Sequence, residues 1–327
     1  MIYNTSKLNT GIGVYAYNLS QGLGIKLSND FLSNKHYYID YFKRSLFRKK
    51  VDDIVINSSI FLNYYLGNKN IFIIHDFFYK DYSNYMPKFS KLLFDYGLFL
   101  AKMNSDKFIC VSNYTYKRAS KELKNLEMIY PFVDQRFNYK GDKIKGRINL
   151  LMDASGFKNK RPEYYQKFYE YIILNKYEFY GRINKLGYSL KPIVLDFKIR
   201  NYINISMNEV IDIYRNSNVF LSFSENEGFG YPLVQSILSG NSVVVTENET
   251  YRELLGNDFR YYIKDINDFD SIQDLISQSL DDTEMRKSIY DRIIILIDPL
   301  SLKKQWEYLF DELGVKLWEG RGYQMMR

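Results

Sequence analysis

Cysteine and histidine are both scarce in this sequence. The 327 residues include one cysteine and two histidines. A single cysteine, Cys110, excludes an internal disulfide and leaves no cysteine cluster that could hold zinc. Because Cys110 lies in the apolar run from Phe108 to Val111, we expect its thiol to be buried and unreactive. The sequence therefore indicates neither a disulfide scaffold nor a zinc domain.

Long apolar runs are also missing. A run such as Ile293 to Ile297 is about a quarter of the ~20 residues that a membrane-spanning helix needs. The first residues, MIYNTSKLNT, lack the basic flank and apolar stretch of a signal peptide. The composition, 46% hydrophobic and 25% charged, is that of a globular protein. We therefore expect a soluble, cytoplasmic protein.

Charge is unevenly divided along the chain. Residues 1–145 hold 22 Lys+Arg and 12 Asp+Glu, a balance of +10, and the remainder holds 23 and 26, a balance of −3. A basic half favours phosphate-bearing substrates or peripheral contact with an anionic membrane surface. A solvated face without a partner is the alternative. Nucleic acid is not expected, because the tyrosines lie within apolar runs and no recognition motif is present.

The order of apolar and helical segments predicts two α/β domains. The length suits two domains of roughly 150 residues, and short apolar runs alternate with amphipathic segments, as in parallel sheets covered by helices. A polar stretch, residues 134–147, separates two such series. We predict two Rossmann-like, doubly wound domains facing across a cleft, residues 1–140 and 146–299. A C-terminal helix in residues 300–327 would pack back towards the first domain.

The segment SENEGFGYPLVQSILSGNSVVV, residues 224–245, has the features of an anion site. Pro232 is suited to the first turn of a helix, so Gly228 and Gly230 lie just before a helix N-terminus, where free N–H groups attract phosphate. Glu227 and Gln235 could both reach a ligand lying across that helix end, and a carboxylate there could accept hydrogen bonds from sugar hydroxyls. The alternative is a tight strand-to-helix turn with a glutamate favoured by the helix dipole.

The stretch Glu227-Gly228-Phe229-Gly230-Tyr231-Pro232 resembles the EGFGLP motif of retaining glycosyltransferases of the GT-B fold, specifically family 4 (glycosyl transferases group 1). Further motifs follow the family's order: Gly11-Ile12-Gly13-Val14-Tyr15 resembles its GxG loop, Ile73-Ile74-His75-Asp76 its IHD strand end, Val111-Ser112 its VS, and Ile129-Tyr130-Pro131-Phe132-Val133-Asp134 its IYNGVD. The resemblance thus extends over nearly the whole chain.

The resemblance implies roles for individual residues. Glu227 would hold hydroxyls of the donor sugar, Gln235 the ribose, and His75 would contact the sugar near the reacting carbon. Gly11 and Gly13 would bring backbone N–H groups to the distal phosphate.

The leaving diphosphate would be neutralised by basic residues that follow the first strand of the second domain. The candidates are Lys158, Lys160 and Arg161, with Lys160 favoured. The implied activity is metal-independent, hexosyltransferase-like transfer from a nucleotide-diphospho-sugar to a hydroxyl acceptor, with no further cofactor.

Two departures from the family pattern raise an alternative function. Gln235 stands where the family usually has glutamate, and only Met1 to Asn4 precede the loop that leads to Gly11. A degenerate GT-B protein that binds a nucleotide sugar or a partner without efficient turnover is therefore the alternative. A sugar-nucleotide epimerase of the same fold would want more acid and base groups.

Two short motifs suggest other chemistries. Gly11-x-Gly13-x-x-Ala16, with Asp30 as a ribose acid, fits a loose dinucleotide fingerprint. Asp268-Phe269-Asp270 spells the DxD of metal-dependent glycosyltransferases, although Asp270 also fits a helix N-cap. No further carboxylate and histidine grouping suggests a metal site, so we expect none.

One predicted helix, residues 87–103, has a broad apolar face. Its members are Phe89, Leu92, Leu93, Tyr96, Leu100 and Met103. We expect this face to pack in the core. Surface attachment through the adjacent Lys88, Lys91 and Lys102 is the alternative.

Overall fold

The computed structural model describes residues 1–4, 10–29, 49–60, 65–82, 88–139, 148–155, 158–173, 178–184 and 205–315. The candidate ribose acid Asp30 lies outside these ranges. No helix in the described part of the chain is long and apolar enough to span a bilayer.

A six-stranded parallel sheet forms the first unit, in the order β2-β1-β4-β6-β7-β8. Its strands are β1 (Ile2–Asn4), β2 (Leu27–Asn29), β4 (Ile54–Asn57), β6 (Lys69–Ile74), β7 (Lys107–Cys110) and β8 (Leu126–Met128). The short strands β3 (Lys49–Lys50) and β5 (Tyr65–Leu66) pair with each other. Strands β4, β6 and β7 are buried over nearly their whole length, which explains their continuous apolar runs.

The helices of the first unit are α1 (Gly11–Leu23), α2 (Phe78–Asp81), α3 (Lys88–Asn104) and α4 (Asn113–Ala119), followed by a 3-10 turn at Gln135–Phe137. Side-chain oxygens cap two of them at their N-termini. Thr10 accepts from the Gly13 N–H in α1, and Ser112 accepts from the Thr115 N–H in α4. These caps satisfy helix donors that have no partner within the helix.

A five-stranded parallel sheet forms the second unit, in the order β10-β9-β11-β12-β13. Its strands are β9 (Asn149–Ser155), β10 (Glu178–Asn184), β11 (Val219–Ser222), β12 (Ser242–Thr246) and β13 (Tyr262–Ile263), and a 3-10 turn covers Lys158–Lys160. Its helices are α5 (Pro162–Ile173), α6 (Met207–Arg215), α7 (Tyr231–Leu238), α8 (Glu249–Leu255), α9 (Phe269–Asp281), α10 (Thr283–Leu296) and α11 (Pro299–Glu312). The predicted α/β fold with two parallel, doubly wound sheets is confirmed.

The last helix, α11, contacts the first unit. Asp298 caps its N-terminus, and Trp306 is fully buried on its inner face. The helix lies against α1, and the Lys107 ammonium is 2.8 Å from the Glu312 carboxylate. The end of the described chain therefore touches both units.

The buried thiol is as the sequence predicts. Cys110 lies at the end of β7 with no exposed surface, and burial raises its pKa to about 12. The thiolate is therefore not formed at neutral pH.

Helix α3 differs from its predicted packing. Leu93 and Leu100 are buried, but Phe89, Leu92 and Met103 have 39%, 58% and 68% of their surface exposed. The core instead receives Phe94, Gly97, Leu98 and Ala101. The predicted single apolar face is thus wrong, because the helix has one apolar face towards the core and a second towards solvent.

Candidate functional site

Each sheet has a topological switch point, and the predicted site residues follow the strands that flank it. In the second sheet, β10 lies on one side of β9 and β11 lies on the other. Loops after the carboxyl ends of such strands form a crevice that binds ligands. Lys160 follows β9 and Glu227 follows β11, while His75 follows β6 of the first sheet. Parallel strands thus direct these distant residues towards one place.

The loop after β11 is fixed by hydrogen bonds from two neighbouring segments. The Glu225 N–H donates to the Asn159 carbonyl at 2.7 Å, and the Thr250 hydroxyl donates to the Glu227 carbonyl at 2.6 Å. Gly230 then takes the left-handed conformation, φ 83°, just before α7. Glycine adopts this conformation without the steric cost that a Cβ would add. The loop therefore presents the Glu227 side chain in a defined position.

Glu227 and Lys160 form an ion pair. The Lys160 ammonium contacts one oxygen of the Glu227 carboxylate, and the two side chains are 22% and 10% exposed. The Tyr251 hydroxyl lies 3.2 Å from the other oxygen and 3.1 Å from the Ser222 hydroxyl. Burial, and then the negative charge of Glu227, raise the pKa of Tyr251 well above its usual value. Tyr251 therefore stays neutral and can donate to the carboxylate.

His75 is neutral and its ring orientation is fixed. Its Nε2 lies 2.7 Å from the Ser58 carbonyl, and the ring meets Tyr15 edge to face with centroids 4.9 Å apart. Burial lowers the pKa of His75 to about 4. Since a carbonyl only accepts, Nε2 carries the proton and Nδ1 is left as an acceptor. The ring can therefore receive a hydroxyl hydrogen bond at Nδ1.

The two units touch directly at Gly228. A Cβ built on Gly228 would lie 2.1 Å from the His75 carbonyl oxygen and 3.8 Å from the Asp76 Cβ. The Thr115 hydroxyl lies 3.3 Å from the His75 carbonyl and 3.5 Å from the Gly228 carbonyl. Gly228 thus permits a backbone approach that any other residue would block, and this approach brings His75 next to the Glu227 loop.

A second contact between the units is made by Glu253 of α8. Its carboxylate accepts from the backbone N–H groups of Asn113 at 2.8 Å and Tyr114 at 3.2 Å, at the start of α4. It also accepts from the Tyr130 hydroxyl at 2.6 Å. A carboxylate at a helix N-terminus satisfies free N–H groups and interacts favourably with the helix dipole.

Tyr114 extends this contact to the neighbourhood of Glu227. The Asn226 side-chain amide donates to the Tyr114 hydroxyl at 2.8 Å, and Asn226 directly precedes Glu227. The start of α4 is therefore bonded to two segments of the second unit. These contacts fix the position of Glu227 relative to His75.

Asp76 adds a further charge to the same region. Its carboxylate accepts from the Phe78 N–H at 3.0 Å. Burial raises the pKa of Asp76, the Phe78 hydrogen bond and Lys160 oppose that rise, and Glu227 and Asp81 add to it. Asp76 and Glu227 therefore both face the positive charge of Lys160.

The remaining predicted ligand-binding residues lie in the turn after β9, in the loop before α7 and in α7 itself. Lys158 is exposed in the turn after β9, and the Arg161 guanidinium is 3.5 Å from the Glu225 carboxylate. Phe229 is buried, and Gln235, 6% exposed, lies inside α7. At the centre of the site, the Glu227 side chain is in direct contact with the side chains of Lys160 and Tyr251.

The two predicted phosphate-binding glycines, Gly11 and Gly13, lie at the start of α1. Among the residues that the structure describes, none has an atom within 4 Å of a Cβ built on Gly11. The Gly13 N–H donates to the Thr10 hydroxyl at 3.1 Å. In this structure the Gly13 donor is therefore already satisfied, and a phosphate at this helix would meet the preceding N–H groups.

The DxD-like motif is a helix cap. The Asp268 carboxylate accepts from the Ser271 N–H at 3.0 Å, and Asp270 accepts from the Tyr171 hydroxyl in the first turn of α9. The cap is therefore Asp268, not Asp270 as predicted. Within the described ranges, no group of three or more His, Cys, Asp or Glu residues is placed to hold a metal ion.

Several residues of the site were not found from the sequence. They are Asn159, Tyr251, Thr250, Thr115 and Glu253. Each acts by a hydrogen bond to a residue distant in the chain, and none belongs to a motif whose spacing would identify it. The periodicity of strands and helices predicts where a loop lies, but not which neighbouring side chain contacts it.

Burial of neutral His75 predicts a pH dependence of stability. The pKa of an unfolded histidine is about 6.5 and that of His75 is about 4, so between these values the unfolded state binds more protons. The free energy of unfolding should therefore fall as pH is lowered from 6.5 towards 4. His75→Gln should show a shallower fall in urea titrations over this range. Equal slopes for both proteins would contradict a buried neutral imidazole.

The Glu253 contact predicts a loss of stability on its removal. Glu253→Gln replaces one accepting oxygen by a donating amide that would face an N–H group. We expect the free energy of unfolding to fall by ~1.5–3 kcal/mol, the range for hydrogen bonds to charged groups. Glu249→Gln, an exposed exchange on the same helix, is the control and should change it by under ~0.5 kcal/mol. Equal effects of the two exchanges would show that Glu253 does not join the units.

Part of the chain matches a known protein family. Residues 196–294 match the model of the family described as glycosyl transferases group 1. No sequence among the curated proteins matches the chain. The family match covers α6 to most of α10, including the whole EGFGYP loop.

Solved structures show the same fold over most of the chain. HepE from Anabaena, in complex with UDP and glucose, has a TM-score of 0.68 at 9% identity, over 95% of this chain and 98% of that one. Sucrose-phosphate synthase from Thermosynechococcus elongatus has a TM-score of 0.62 at 12% identity, over 80% of this chain and 73% of that one.

TarM from S. aureus has a TM-score of 0.59 at 14% identity, over 83% of this chain and 58% of that one. These likenesses establish the fold, which is that of GT-B glycosyltransferases. For residues 196–294 the resemblance to group 1 glycosyl transferases is confirmed by the family match, and the solved structures show the fold alone.

Proposed function

We propose that the protein is a retaining glycosyltransferase that moves a sugar from a nucleotide-diphospho-sugar to a hydroxyl acceptor. The observation that carries the proposal is the Lys160–Glu227 ion pair at the carboxyl ends of β9 and β11, next to the His75 backbone. HepE binds UDP and glucose, so uridine is the first base to test. The sugar is expected to be a hexose.

Lys160 and Glu227 have separate roles when a donor is bound. The ion pair neutralises two largely buried charges. A diphosphate would compete for the Lys160 ammonium, and sugar hydroxyls would compete for the Glu227 carboxylate. Tyr251 stays bonded to Glu227 and keeps its orientation. The donor is thus recognised by two opposite charges that are already close together.

The reaction follows from where charge develops. The bond between the anomeric carbon and the diphosphate oxygen breaks, and negative charge grows on the diphosphate beside Lys160. Positive charge placed there in advance stabilises the transition state. The acceptor oxygen bonds to the anomeric carbon on the same face, and its proton passes to the departing phosphate oxygen. His75 accepts a hydrogen bond from a sugar hydroxyl at Nδ1 and so orients the sugar ring.

Lys160 and the N-terminus of α7 supply positive charge to the leaving group, so a divalent metal is not needed for this role. Addition of EDTA is therefore expected to leave the transfer rate unchanged. We also propose that the units correspond to domains 1–140 and 146–299, and that the protein acts in the cytoplasm.

Stereochemistry tests the proposed mechanism. UDP-sugars would be incubated with the protein without acceptor, so that water takes the acceptor's place, and the released sugar followed by proton NMR. We expect the first anomer released to have the configuration of the donor. Release of the opposite anomer would contradict retention, and no release from a bound donor would favour the degenerate alternative.

Substitution of Gln235 distinguishes an enzyme of reduced activity from a binding protein. A charged acceptor makes stronger hydrogen bonds to hydroxyls than an amide does. If Gln235→Glu raises donor turnover, the site is a transferase of reduced activity. If neither the wild type nor this variant turns over a donor that binds, a binding function is favoured.

A further inference from the structure

Helix α3 presents large apolar side chains to solvent. Leu92, Phe99 and Met103 are 58%, 56% and 68% exposed. The opposite face of the same helix is buried in the core through Leu93, Phe94, Gly97, Leu98, Leu100 and Ala101. A surface helix of a soluble protein normally has polar residues opposite its core face. This helix therefore has a surface that its own fold does not explain.

The three most exposed apolar residues of α3 form one narrow stripe. At 100° per residue, Leu92, Phe99 and Met103 fall within about 40° of one another around the helix axis. The buried residues centre on the opposite side, so the stripe points directly away from the core. Over the distance from Leu92 to Met103, eleven residues at about 1.5 Å each, the stripe is roughly 16 Å long. That is the shape of a helix that lies flat on an apolar phase.

Lysines border the stripe on one side. Lys88 and Lys102 are exposed and Lys91 is partly exposed, and all three project within about 100° of Leu92 on the same flank. Asp95 lies among them, which leaves a net charge of +2 on that flank. The long lysine side chains can reach headgroup phosphates while the apolar stripe sits deeper. The chemistry therefore matches a negatively charged lipid surface.

A second copy of the chain fits this surface less well. Two such helices packed antiparallel, stripe to stripe, would bring their lysine flanks close together, and like charges oppose that arrangement. An anionic bilayer supplies the opposite charge along the whole helix, and residues 1–145 carry a balance of +10. Charge complementarity thus favours lipid.

We propose that α3 docks the protein on an anionic membrane surface, with Leu92, Phe99 and Met103 inserted at the level of the headgroups. This inference does not depend on the transferase activity. It places the first unit against the bilayer, and the helix rather than the cleft provides the attachment.

Sedimentation of the full chain with vesicles tests the proposal. The vesicles would contain either phosphatidylcholine alone or an equimolar mixture with phosphatidylglycerol. We expect binding to the mixture, weakened by added salt, and little binding to phosphatidylcholine. Leu92→Glu with Phe99→Glu should weaken binding roughly tenfold or more, because both apolar contacts and charge attraction are lost.

A matched control uses apolar residues exposed elsewhere. Ile295 and Leu300 are 74% and 72% exposed, and Ile295→Glu with Leu300→Glu adds the same two charges. This control should bind like the wild type, and thermal melting would verify that both variants fold. Equal loss of binding in both variants, or no binding of the wild type at low salt, would overturn the proposal. So would light scattering that shows a dimer abolished by the α3 exchanges without any vesicle binding.

Discussion

Lys160→Ala is expected to lower kcat/KM for sugar transfer by at least about 30-fold, or ~2 kcal/mol or more of transition-state stabilisation. Lys160 is the cation in contact with Glu227, and it lies after β9, where the diphosphate is proposed to bind. Its loss removes positive charge that is held in place before the reaction starts. Steady-state kinetics with the best UDP-sugar would measure the effect.

Two further variants distinguish catalysis from folding. Lys160→Ala leaves Glu227 without its ion-pair partner, so the double variant with Glu227→Ala should recover part of any lost thermal stability but none of the activity. Lys158→Ala removes an exposed lysine of the same turn and should have a smaller effect on the rate. A transfer rate for Lys160→Ala equal to that of the wild type would remove Lys160 from the mechanism.

Gly228→Ala is expected to lower the transfer rate about 100-fold and the free energy of unfolding by ~1–3 kcal/mol. The added Cβ would lie 2.1 Å from the His75 carbonyl oxygen, which is far inside van der Waals contact. The Cβ position is fixed by the backbone of residue 228, and the His75 carbonyl is itself a backbone group. The loop carrying Glu227 must therefore move away from His75. The two candidate catalytic residues would then no longer face the same donor.

Gly67→Ala provides the control for this exchange. A Cβ there would also lie 2.1 Å from a backbone carbonyl, that of Asp53, at the amino ends of β4 and β6 and away from the site. It should destabilise the protein to a similar extent but leave the rate constant of the folded fraction unchanged. If Gly228→Ala and Gly67→Ala reduce activity equally at matched folded fractions, the Gly228 contact has no special role in catalysis.

The sequence predicted those parts of the fold that local patterns encode. Ile71 to Ile74 and Val243 to Val245 are unbroken apolar runs, and both are buried strands. Pro232 and Gly230 frame the start of α7 because proline suits the first turn of a helix and glycine the preceding left-handed residue. These are short-range properties, and a single sequence displays them.

Packing between distant segments was not predictable in the same way. Nothing in the sequence around Glu253 shows that its carboxylate accepts from Asn113 and Tyr130. The outward face of α3 was missed for a related reason, since Leu92 and Leu93 are equally apolar and only the direction of the core separates them. Tertiary contacts decide such cases, and they depend on how the sheets are placed.

The proposed function requires that a nucleoside diphosphate binds beside Lys160. A panel of four ligands tests this requirement. UDP, GDP, ADP and NAD would be added at equal concentration to the wild type and to Lys160→Ala, and thermal unfolding followed. A ligand at 100 times its dissociation constant should add ~2.7 kcal/mol to the wild type. We predict that UDP stabilises the wild type and stabilises Lys160→Ala much less. Stabilisation by NAD alone, or equal stabilisation of both proteins by UDP, would contradict a transferase site at Lys160.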